Sequence, residues 1–499
     1  MRRGNAVSDL LLAVDVGGGS LRAAAVSPRG GIVRSHTVPL ASTEPRPGWS
    51  EFGPELWWKA LATAVGNVLH LMPRSARVQG VAIAGLTRSQ VLLDESGTPL
   101  RPAILFRDRR AVAEAVRAAD LFLADNPADA ITAFHPLARL AWVAEAEPAI
   151  FRRLHTVLEP KDFLNRRLTG RTAGDTVSYS RFDAIRAKPA IPDWAARSLE
   201  LLAVERIAPW GKVGTVTVGE PPFDRLAGVP VFGGSMDAWA TAVGSGALLP
   251  DQGYDIAGTT EVAGLITSER AMVPGLVSLV WGEDVHQIGG PTQAGADCAR
   301  WCRETLRIRG PLAAAVERAG RRAPSEALPL FLPYLDGERA PVWRADVRGA
   351  FHNISRALSP DEFLWATLEG VAHAVRDILQ LAGRGVARNI SEIRVSGGGA
   401  ASEGWCQMKA DVLGLPVVRT AHAETGLIGC AIAASVGLGI HRSLAEAAAT
   451  MSPAHRVFEP QASLAAFYAH RASMYRQAKD AALALGDGDR PKASAAEPA

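Results

Sequence analysis

A short apolar segment followed by a glycine-rich turn occurs three times in this chain and constrains its fold more than any other feature. The turns are residues 15–20, 258–260 and 397–400, and each follows a segment that we predict to be a β-strand. Glycine lets the main chain approach a ligand closely, so the amide groups of such turns can bind phosphate oxygens. No turn is a P-loop or a complete dinucleotide-binding motif, so each alone is weak evidence. The set of three predicts phosphate binding.

The second half of the chain repeats the organisation of the first. Each half contains an acidic residue at the start of a helix of small residues, Asp237 in one half and Glu424 in the other. At 499 residues, the chain exceeds what one hydrophobic core usually holds. We therefore predict two similar domains, residues 8–247 and 248–485, followed by a disordered tail, residues 486–499. A cleft between two domains is a natural ligand site.

The N-terminal region has the pattern of an α/β domain. Residues 54–71 have the apolar spacing of a helix with one buried face. Apolar segments that predict strands precede and follow this helix: residues 10–14, 21–26, 31–38 and 78–86. Strands that alternate with helices in this way are typical of an α/β fold.

Composition and charge exclude several classes of protein. The 54 basic and 51 acidic residues leave a formal net charge of +3, which is not the basic field that nucleic-acid binding requires. The apolar run near the N-terminus stops at Asp15 and is too short for a signal or membrane segment. We therefore expect neither nucleic acid nor membrane as a partner.

The four cysteines are too few and too irregularly spaced for a disulfide framework, which predicts a cytoplasmic protein. Cys298 and Cys302 are one helical turn apart and raise the alternative of a zinc site. No histidine or second cysteine pair lies nearby in the sequence, so we interpret both as buried small apolar residues.

Two aspartates have both a structural and a functional interpretation. A carboxylate at Asp15, among amides that bind phosphate, suits a Mg²⁺ site, but Asp15 can equally cap the hairpin turn. Asp237 can cap the helix that begins near Ala238, or it can accept a proton from a substrate hydroxyl. The helix N-terminus predicts that Asp237 is kept ionised. Capping and catalysis do not exclude one another.

Taken together, these segments resemble the FGGY carbohydrate kinases. Four turn segments occur in that family's order and spacing: residues 15–20, 233–237, 257–260 and 396–400. Residues 134–145 resemble the family's first signature, and residues 337–369 resemble its second signature together with the loop before it. Residues 100–110 and 159–170 are most similar to the xylulokinase-like branch.

The resemblance implies an α/β fold of two ribonuclease-H-like domains, of the actin and hexokinase type, flanking a central cleft that binds ATP and a small sugar or polyol. It implies that Asp237 is the catalytic base and contacts the substrate, and that Asp15 holds Mg²⁺ through water. It also implies the cofactor-binding residues, which are Gly17 and Ser20 at the phosphates, Gly258 and Thr259 at the γ-phosphate, and Gly398, Gly399 and Ala400 at the adenosine.

Several residues depart from the family's usual pattern. Gly18 and Gly19 stand where a threonine is usual, which removes hydroxyl groups from the phosphate turn. The branch's substrate turn, Gln-Met-His-Gly, is here residues 86–89, with Arg88 in place of the histidine. Ala238 replaces a polar side chain after the base. Buried hydroxyls left without partners cost about 1 to 3 kcal/mol each, which argues against D-xylulose as the substrate.

Arg88 and Asp108 are our candidate substrate-binding residues beside Asp237. A guanidinium at Arg88 favours a substrate with a carboxylate or another anion. The alternative is that Arg88 pairs with Asp94 or Asp108, or donates to neutral hydroxyls.

We expect ATP-dependent phosphorylation of a sugar or polyol hydroxyl by an enzyme that forms a homodimer. The alternative substrates are another ketose or a sugar acid. The alternative activities are an actin-like or chaperone-like ATPase and a sugar-binding pseudokinase.

Overall fold

The computed structural model describes residues 9–73, 75–124, 131–282 and 284–487. Its strands, in chain order, are β1 (Asp9–Val16), β2 (Ser20–Val26), β3 (Ile32–Pro39), β4 (Glu51–Phe52), β5 (Arg77–Gly85), β6 (Val91–Leu93), β7 (Ala103–Ile104), β8 (Phe122–Ala124), β9 (Thr156–Leu158), β10 (Ala173–Asp175), β11 (Ile185–Ala187), β12 (Glu205–Ile207), β13 (Lys212–Thr215), β14 (Pro230–Phe232), β15 (Gln252–Ala257), β16 (Glu261–Thr267), β17 (Val277–Val280), β18 (His286–Pro291), β19 (Leu330–Leu332), β20 (Ala350–His352), β21 (Glu392–Ser396), β22 (Val417–Thr420) and β23 (Ala454–Phe458).

The helices, in chain order, are α1 (Pro54–Leu71), α2 (Val112–Ala119), α3 (Pro136–Ala146), α4 (Pro148–Arg153), α5 (Pro160–Thr169), α6 (Ser180–Asp183), α7 (Asp193–Leu202), α8 (Asp237–Ser245), α9 (Ala296–Thr305), α10 (Leu312–Gly320), α11 (Pro360–Gly385), α12 (Glu403–Leu413), α13 (Thr425–Gly437), α14 (Leu444–Met451) and α15 (Ala465–Asp487). A short 3₁₀ helix, Gly398–Ala401, precedes α12.

Two mixed sheets form the framework of the molecule. The first has six strands in the order β13-β14-β5-β1-β2-β3, and the second has seven in the order β17-β18-β16-β15-β21-β22-β23. In the first sheet, β1 pairs antiparallel with β2 and parallel with β5, which is parallel to β14. In the second sheet, β15 pairs antiparallel with β16 and parallel with β21, which is parallel to β22. The same connectivity in both sheets agrees with the repeat seen in the sequence.

Helices α8 and α13 occupy equivalent positions in the two halves and pack against each other. A Cβ atom placed on Gly244 would lie 1.8 Å from the carbonyl oxygen of Thr425, and one on Gly429 would lie 1.9 Å from the carbonyl oxygen of Ala240. Only glycine allows such close contact between the two backbones. The surrounding core joins residues from both sheets, such as Ala13 and Ile266.

The structure agrees closely with the elements predicted near the N-terminus. Helix α1 has the predicted bounds, and strands β1, β2, β3 and β5 lie within two residues of the predicted segments. The predicted boundary between residues 247 and 248 lies between α8 and β15, and the division into domains stays a prediction. Helix α15 extends through Asp487, so the first two residues of the predicted tail are helical, and residues 488–499 lie outside the described residues.

None of the described helices has the length and apolar character needed to cross a bilayer. Cys298 and Cys302 are buried free thiols, as the apolar interpretation predicts. Within the described ranges, no cluster of three or more His, Cys, Asp or Glu side chains is arranged to bind a metal. The predictions of a cytoplasmic location and of a homodimer stay predictions.

Candidate active site

The carboxyl ends of neighbouring strands bring the candidate residues of the first half together. Strands β1 and β5 are parallel, and Asp15 near the end of β1 lies opposite Ala84 of β5. The next residue, Gly85, donates its backbone N–H to the carbonyl of Ser235 at 3.1 Å. The turns that carry Arg88 and Asp237 therefore meet at the same edge of the sheet, beside Asp15.

Asp237 is the first residue of helix α8, and Met236 occupies the N-cap position. Its Oδ1 accepts a hydrogen bond from the backbone N–H of Ala238 at 2.8 Å. Burial raises the pKa of Asp237 to about 6, because desolvation outweighs this hydrogen bond. The direction is opposite to the one that the helix N-terminus alone predicts. The result is a carboxylate that is ionised at neutral pH and more basic than an exposed aspartate.

The turn before Asp237 depends on glycine for a steric reason. Gly234 has a φ of 62°, which lies in the left-handed region. A Cβ atom at this position would lie 1.8 Å from the carbonyl oxygen of Ile83 in β5. The glycine lets the turn lie directly on the sheet and so fixes where α8 begins.

Asp15 faces helix α13 of the second half. Its Oδ2 lies 3.9 Å from Arg22 Nη1, and a Cβ atom on Gly426 would lie 3.1 Å from the same oxygen. Its Oδ1 is buried and has no hydrogen-bond partner. Burial and the charge of Asp237 raise the pKa of Asp15 to about 7, while Arg22 lowers it. A buried carboxylate oxygen without a donor fits a cation or a water bound to one.

The first glycine turn is open to solvent. Gly17 donates its N–H to the carbonyl of Ser20 at 2.9 Å, which closes the turn between β1 and β2. Gly18 and Gly19 are exposed, and a Cβ atom on either would meet nothing within 4 Å. Neither glycine has a left-handed φ. These two positions therefore have room for a larger side chain.

The second and third glycine turns lie side by side at the ends of β15 and β21. Gly397 has a φ of 82°, and a Cβ atom there would lie 2.6 Å from the carbonyl oxygen of Ala257. Gly258 and Thr259 accept backbone hydrogen bonds from the first residues of α9, each at 3.1 Å. The backbones of the two turns, residues 258–260 and 397–400, are therefore adjacent.

The residues predicted at the adenosine differ in exposure. Gly398 is exposed, Gly399 is half-buried and Ala400 is buried. The carbonyl of Ala400 accepts a hydrogen bond from Arg419 at 3.0 Å, which anchors this turn to strand β22.

Arg88 has a constrained backbone. Its φ is 55°, an uncommon value for a residue other than glycine. Its N–H donates to Oε1 of Glu159 at 2.7 Å, and its carbonyl accepts a hydrogen bond from Arg139. The charge of Arg88 lowers the pKa of Arg339 in the second half, although burial is the larger cause. Arg339 donates to Thr260 Oγ1 at 3.1 Å, so the turn of Arg88 lies near the second glycine turn.

Asp108 lies in a buried hydrogen-bond network, and its contact with the substrate stays a prediction. Asp108 is fully buried, and its carboxylate accepts hydrogen bonds from Arg110 and from the backbone of Ser50. The carboxylate of Asp94 accepts hydrogen bonds from the hydroxyl of Ser96 and from the backbone N–H of Thr98, within its own turn. The two acidic partners that the sequence offered for Arg88 are therefore bound to other groups.

The comparison with known families agrees with this arrangement. The N-terminal domain of the FGGY family of carbohydrate kinases matches residues 10–244, and its C-terminal domain matches residues 253–438. The matched segments contain the three glycine turns, Asp15, Arg88 and Asp237. This chain belongs to the FGGY family of carbohydrate kinases. The protein is an ATP-dependent carbohydrate kinase, as the sequence predicted.

Known relatives of this FGGY kinase cover nearly its whole length. The xylulose kinase of Klebsiella pneumoniae is 30% identical over 431 residues, which are 84% of this chain and 87% of the relative. The xylulose kinase of Escherichia coli K12 is 28% identical over 487 residues, or 94% and 98% of the two chains. The crystal structure of xylulose kinase from Rhodospirillum rubrum has a TM-score of 0.84 at 22% identity and covers 96% of this chain and 100% of that one. The predicted actin and hexokinase type of fold is confirmed.

A buried polar network in this FGGY kinase escaped the sequence analysis. Glu159, Lys161 and Asp175 lie beneath the turns of Arg88 and Asp237, and each is at most 3% exposed. The signal in the sequence is three charged residues, Glu159, Lys161 and Asp162, between two apolar segments. A second omission is the ion pair between Arg22 and Glu424, which no local pattern predicts because the two residues are 402 positions apart.

Proposed function

We propose that Asp237 is the general base for transfer of the γ-phosphoryl group of ATP to a hydroxyl of a small sugar or polyol. The observation that carries the proposal is a half-buried carboxylate with a raised pKa of about 6, next to the substrate turn of Arg88 and to Asp15. A base with such a pKa is ionised at neutral pH and accepts a proton more readily than an exposed aspartate does.

In the proposed reaction, Asp237 accepts a hydrogen bond from the substrate hydroxyl and orients its oxygen toward the γ-phosphorus. The oxygen forms a bond to phosphorus as the bond to the β,γ-bridging oxygen breaks, and ADP leaves. The hydroxyl proton moves to Asp237. Most of the rate enhancement comes from positioning and from stabilising charge on the phosphoryl oxygens.

Asp15 is the residue proposed to hold Mg²⁺ through water. Its buried and unpartnered Oδ1 fits this role. A bound Mg²⁺ would neutralise charge on the phosphates of ATP. Without a cation, burial and then repulsion by the carboxylate of Asp237 raise the pKa of Asp15.

The three glycine turns are proposed to bind ATP. The open turn of Gly17 and Ser20 would contact phosphate oxygens, and Gly258 with Thr259 would meet the γ-phosphate. The exposed Gly398 and half-buried Gly399 would lie against the adenosine. Because Ala400 is buried, we expect it to support this turn.

For the substrate, we propose a ketose, polyol or sugar acid that differs from D-xylulose. The relatives named xylulose kinase support a small polyhydroxylated substrate. Arg88 introduces a cation into the turn that meets the turn of the proposed base. A sugar acid therefore belongs in any substrate screen.

The test is an ATP-consumption assay with and without a library of ketopentoses, ketohexoses, polyols and sugar acids. We expect ATP consumption to depend on one substrate class and Asp237→Asn to reduce its turnover at least ~100-fold. Asp193→Asn is the matched control, because Asp193 also begins a helix but is exposed. Sugar-independent ATP hydrolysis would favour the ATPase alternative. Sugar binding without ATP consumption would favour the pseudokinase.

A further inference from the structure

A buried cluster of charged side chains lies beneath the proposed active site. Lys161, in the first turn of α5, contacts the carboxylates of Asp162 and Asp175, the latter at 2.8 Å. Glu159 immediately precedes the helix; burial raises the pKa of its carboxyl group, and the nearby charge of Lys161 opposes that rise only in part. All four side chains are at most 3% exposed. The ammonium group of Lys161 therefore contacts two buried carboxylates, and the carboxyl group of Glu159 lies near it without a direct hydrogen bond.

One arm of this network reaches the turn that carries Asp237. Oδ2 of Asp175 contacts Lys161, and its Oδ1 accepts a hydrogen bond from the hydroxyl of Ser235 at 2.7 Å. Ser235 is fully buried, and its carbonyl accepts the N–H of Gly85. The turn is therefore held on one side by the strand and on the other by the ion pair.

The other arm reaches the turn that carries Arg88. Oε1 of Glu159 accepts two hydrogen bonds, from the hydroxyl of Thr87 at 2.8 Å and from the N–H of Arg88 at 2.7 Å. The carbonyl of Arg88 is held by Arg139. These contacts secure the left-handed backbone at Arg88, which is otherwise disfavoured for a residue with a side chain.

The network is a costly way to stabilise a core. Burying an ion pair usually stabilises a protein no more than apolar residues of the same volume do. Here burial raises the pKa of Glu159 to about 8 and that of Asp162 to about 6, so the excess of carboxyl groups is unfavourable. What the polar groups provide is direction, because Asp175 accepts a hydrogen bond from one turn and Glu159 accepts two from the other.

We propose that Lys161 is a positioning residue that holds Asp237 and Arg88 in fixed register. It does so through Asp175 on one side and Glu159 on the other. The inference rests on the proposed function, since it assigns a purpose to the placement of the base. The turns of Arg88 and Asp237 are about 150 positions apart in the sequence. The network connects them through polar contacts on their buried side.

The first test removes one hydroxyl from the arm toward Asp237. Ser235→Ala is expected to lower kcat about tenfold to 100-fold, because small displacements of a catalytic group have effects of this size. The KM for ATP should stay within about twofold, because the nucleotide turns are not part of the network. Ser245→Ala is the matched control, since Ser245 is also fully buried but its hydroxyl donates within its own helix, to Ala242.

The second test uses the arm toward Arg88. Thr87→Val keeps the shape of the side chain and removes the hydroxyl that Glu159 accepts, so the KM for the sugar should rise while the melting temperature changes little. Thr87→Ser restores the hydroxyl and should restore the KM. Equal behaviour of the two variants would show that only packing matters at this position.

The results separate this inference from the proposed function. If Asp237→Asn is inactive but Ser235→Ala keeps the kcat of the wild type, the positioning role is wrong and the base assignment stands. If Asp237→Asn is fully active, the proposed function itself fails. A folded Lys161→Met variant should have both the lower kcat expected for Ser235→Ala and the higher sugar KM expected for Thr87→Val. A folded Lys161→Met variant with wild-type constants would overturn the inference.

Discussion

Nη1 of Arg22 lies 2.5 Å from Oε2 of Glu424, so an ion pair joins strand β2 of the first half to the residue that precedes helix α13 of the second. The same Nη1 lies 3.9 Å from Oδ2 of Asp15. Glu424 and Asp15 therefore compete for one guanidinium group beside the proposed Mg²⁺ site. Both side chains of the pair are about two-fifths exposed, which limits its strength.

Removing the negative charge of Glu424 should direct Arg22 toward Asp15. In Glu424→Gln, we expect a closer pair between Arg22 and Asp15, and an increase of about twofold to fivefold in the KM for Mg-ATP, the size expected for a part-exposed ion pair. Steady-state kinetics at several Mg²⁺ concentrations measure this change. Asp183→Asn, which removes the ion-pair partner of Arg206 elsewhere in the first half, should leave the KM unchanged.

The pKa of Asp237 predicts the acid side of the pH profile. Burial disfavours the ionised form and raises the pKa to about 6, so activity should be lost at a higher pH than for an exposed aspartate. A base must be ionised, and at saturating Mg²⁺ kcat/KM should therefore decrease about tenfold per pH unit below pH 6. At low Mg²⁺, Asp15, with a pKa of about 7, adds a second limb that begins near pH 7, and the two together give about a hundredfold decrease per pH unit below pH 6. Excess Mg²⁺ should move the limb of Asp15 and leave that of Asp237 in place.

The crossing of α8 and α13 should tolerate no side chain. In Gly429→Ala, the new Cβ would lie 1.9 Å from the carbonyl oxygen of Ala240, so the helices must separate. We expect a loss of at least about 2 kcal/mol in the free energy of unfolding, measured by urea denaturation. Gly66→Ala in α1 is the control, because its Cβ would meet Pro222 at an ordinary 3.6 Å. That variant should gain about 0.5 to 1 kcal/mol.

A substitution in the open glycine turn, residues 15–20, should strengthen ATP binding. Gly18 has free space around it and no left-handed φ, so a threonine fits without strain. Gly18→Thr should add a hydroxyl donor for a phosphate oxygen and lower the KM for ATP about twofold to tenfold, the value of one hydrogen bond. Gly18→Val has the same shape without the hydroxyl and serves as the control. Equal KM values for the two variants would place this position away from the phosphates.

Local patterns in the sequence predicted much of the first sheet. The apolar alternation and the glycine turns located β1, β2, β3 and β5, because such patterns depend on residues close together in the chain. They also pointed to Asp15 and Asp237 as candidates, because Asp15 directly follows a predicted strand and Asp237 begins a predicted helix. The resemblance to the FGGY kinases then indicated that these turns form one site.

The sequence was silent or misleading where the outcome depended on distant partners. It did not show that the carboxylate of Asp108 accepts hydrogen bonds from Arg110 and from the backbone of Ser50, 58 positions away. The pKa of Asp237 was expected to follow the helix N-terminus, but burial decides its direction. Burial is a property of the whole fold and cannot be obtained from neighbouring residues.

The sequence by itself determined the class of protein, the repeated architecture and the positions of the turns, because these follow from local chemistry repeated in a fixed order. Only the tertiary structure decided which charges meet. It brought Glu424 to Arg22, and it placed Lys161 beneath the turns of Arg88 and Asp237. The physical reason is that an interaction between charges depends on distance and solvent exposure, and a chain fixes both only when its two halves have packed together.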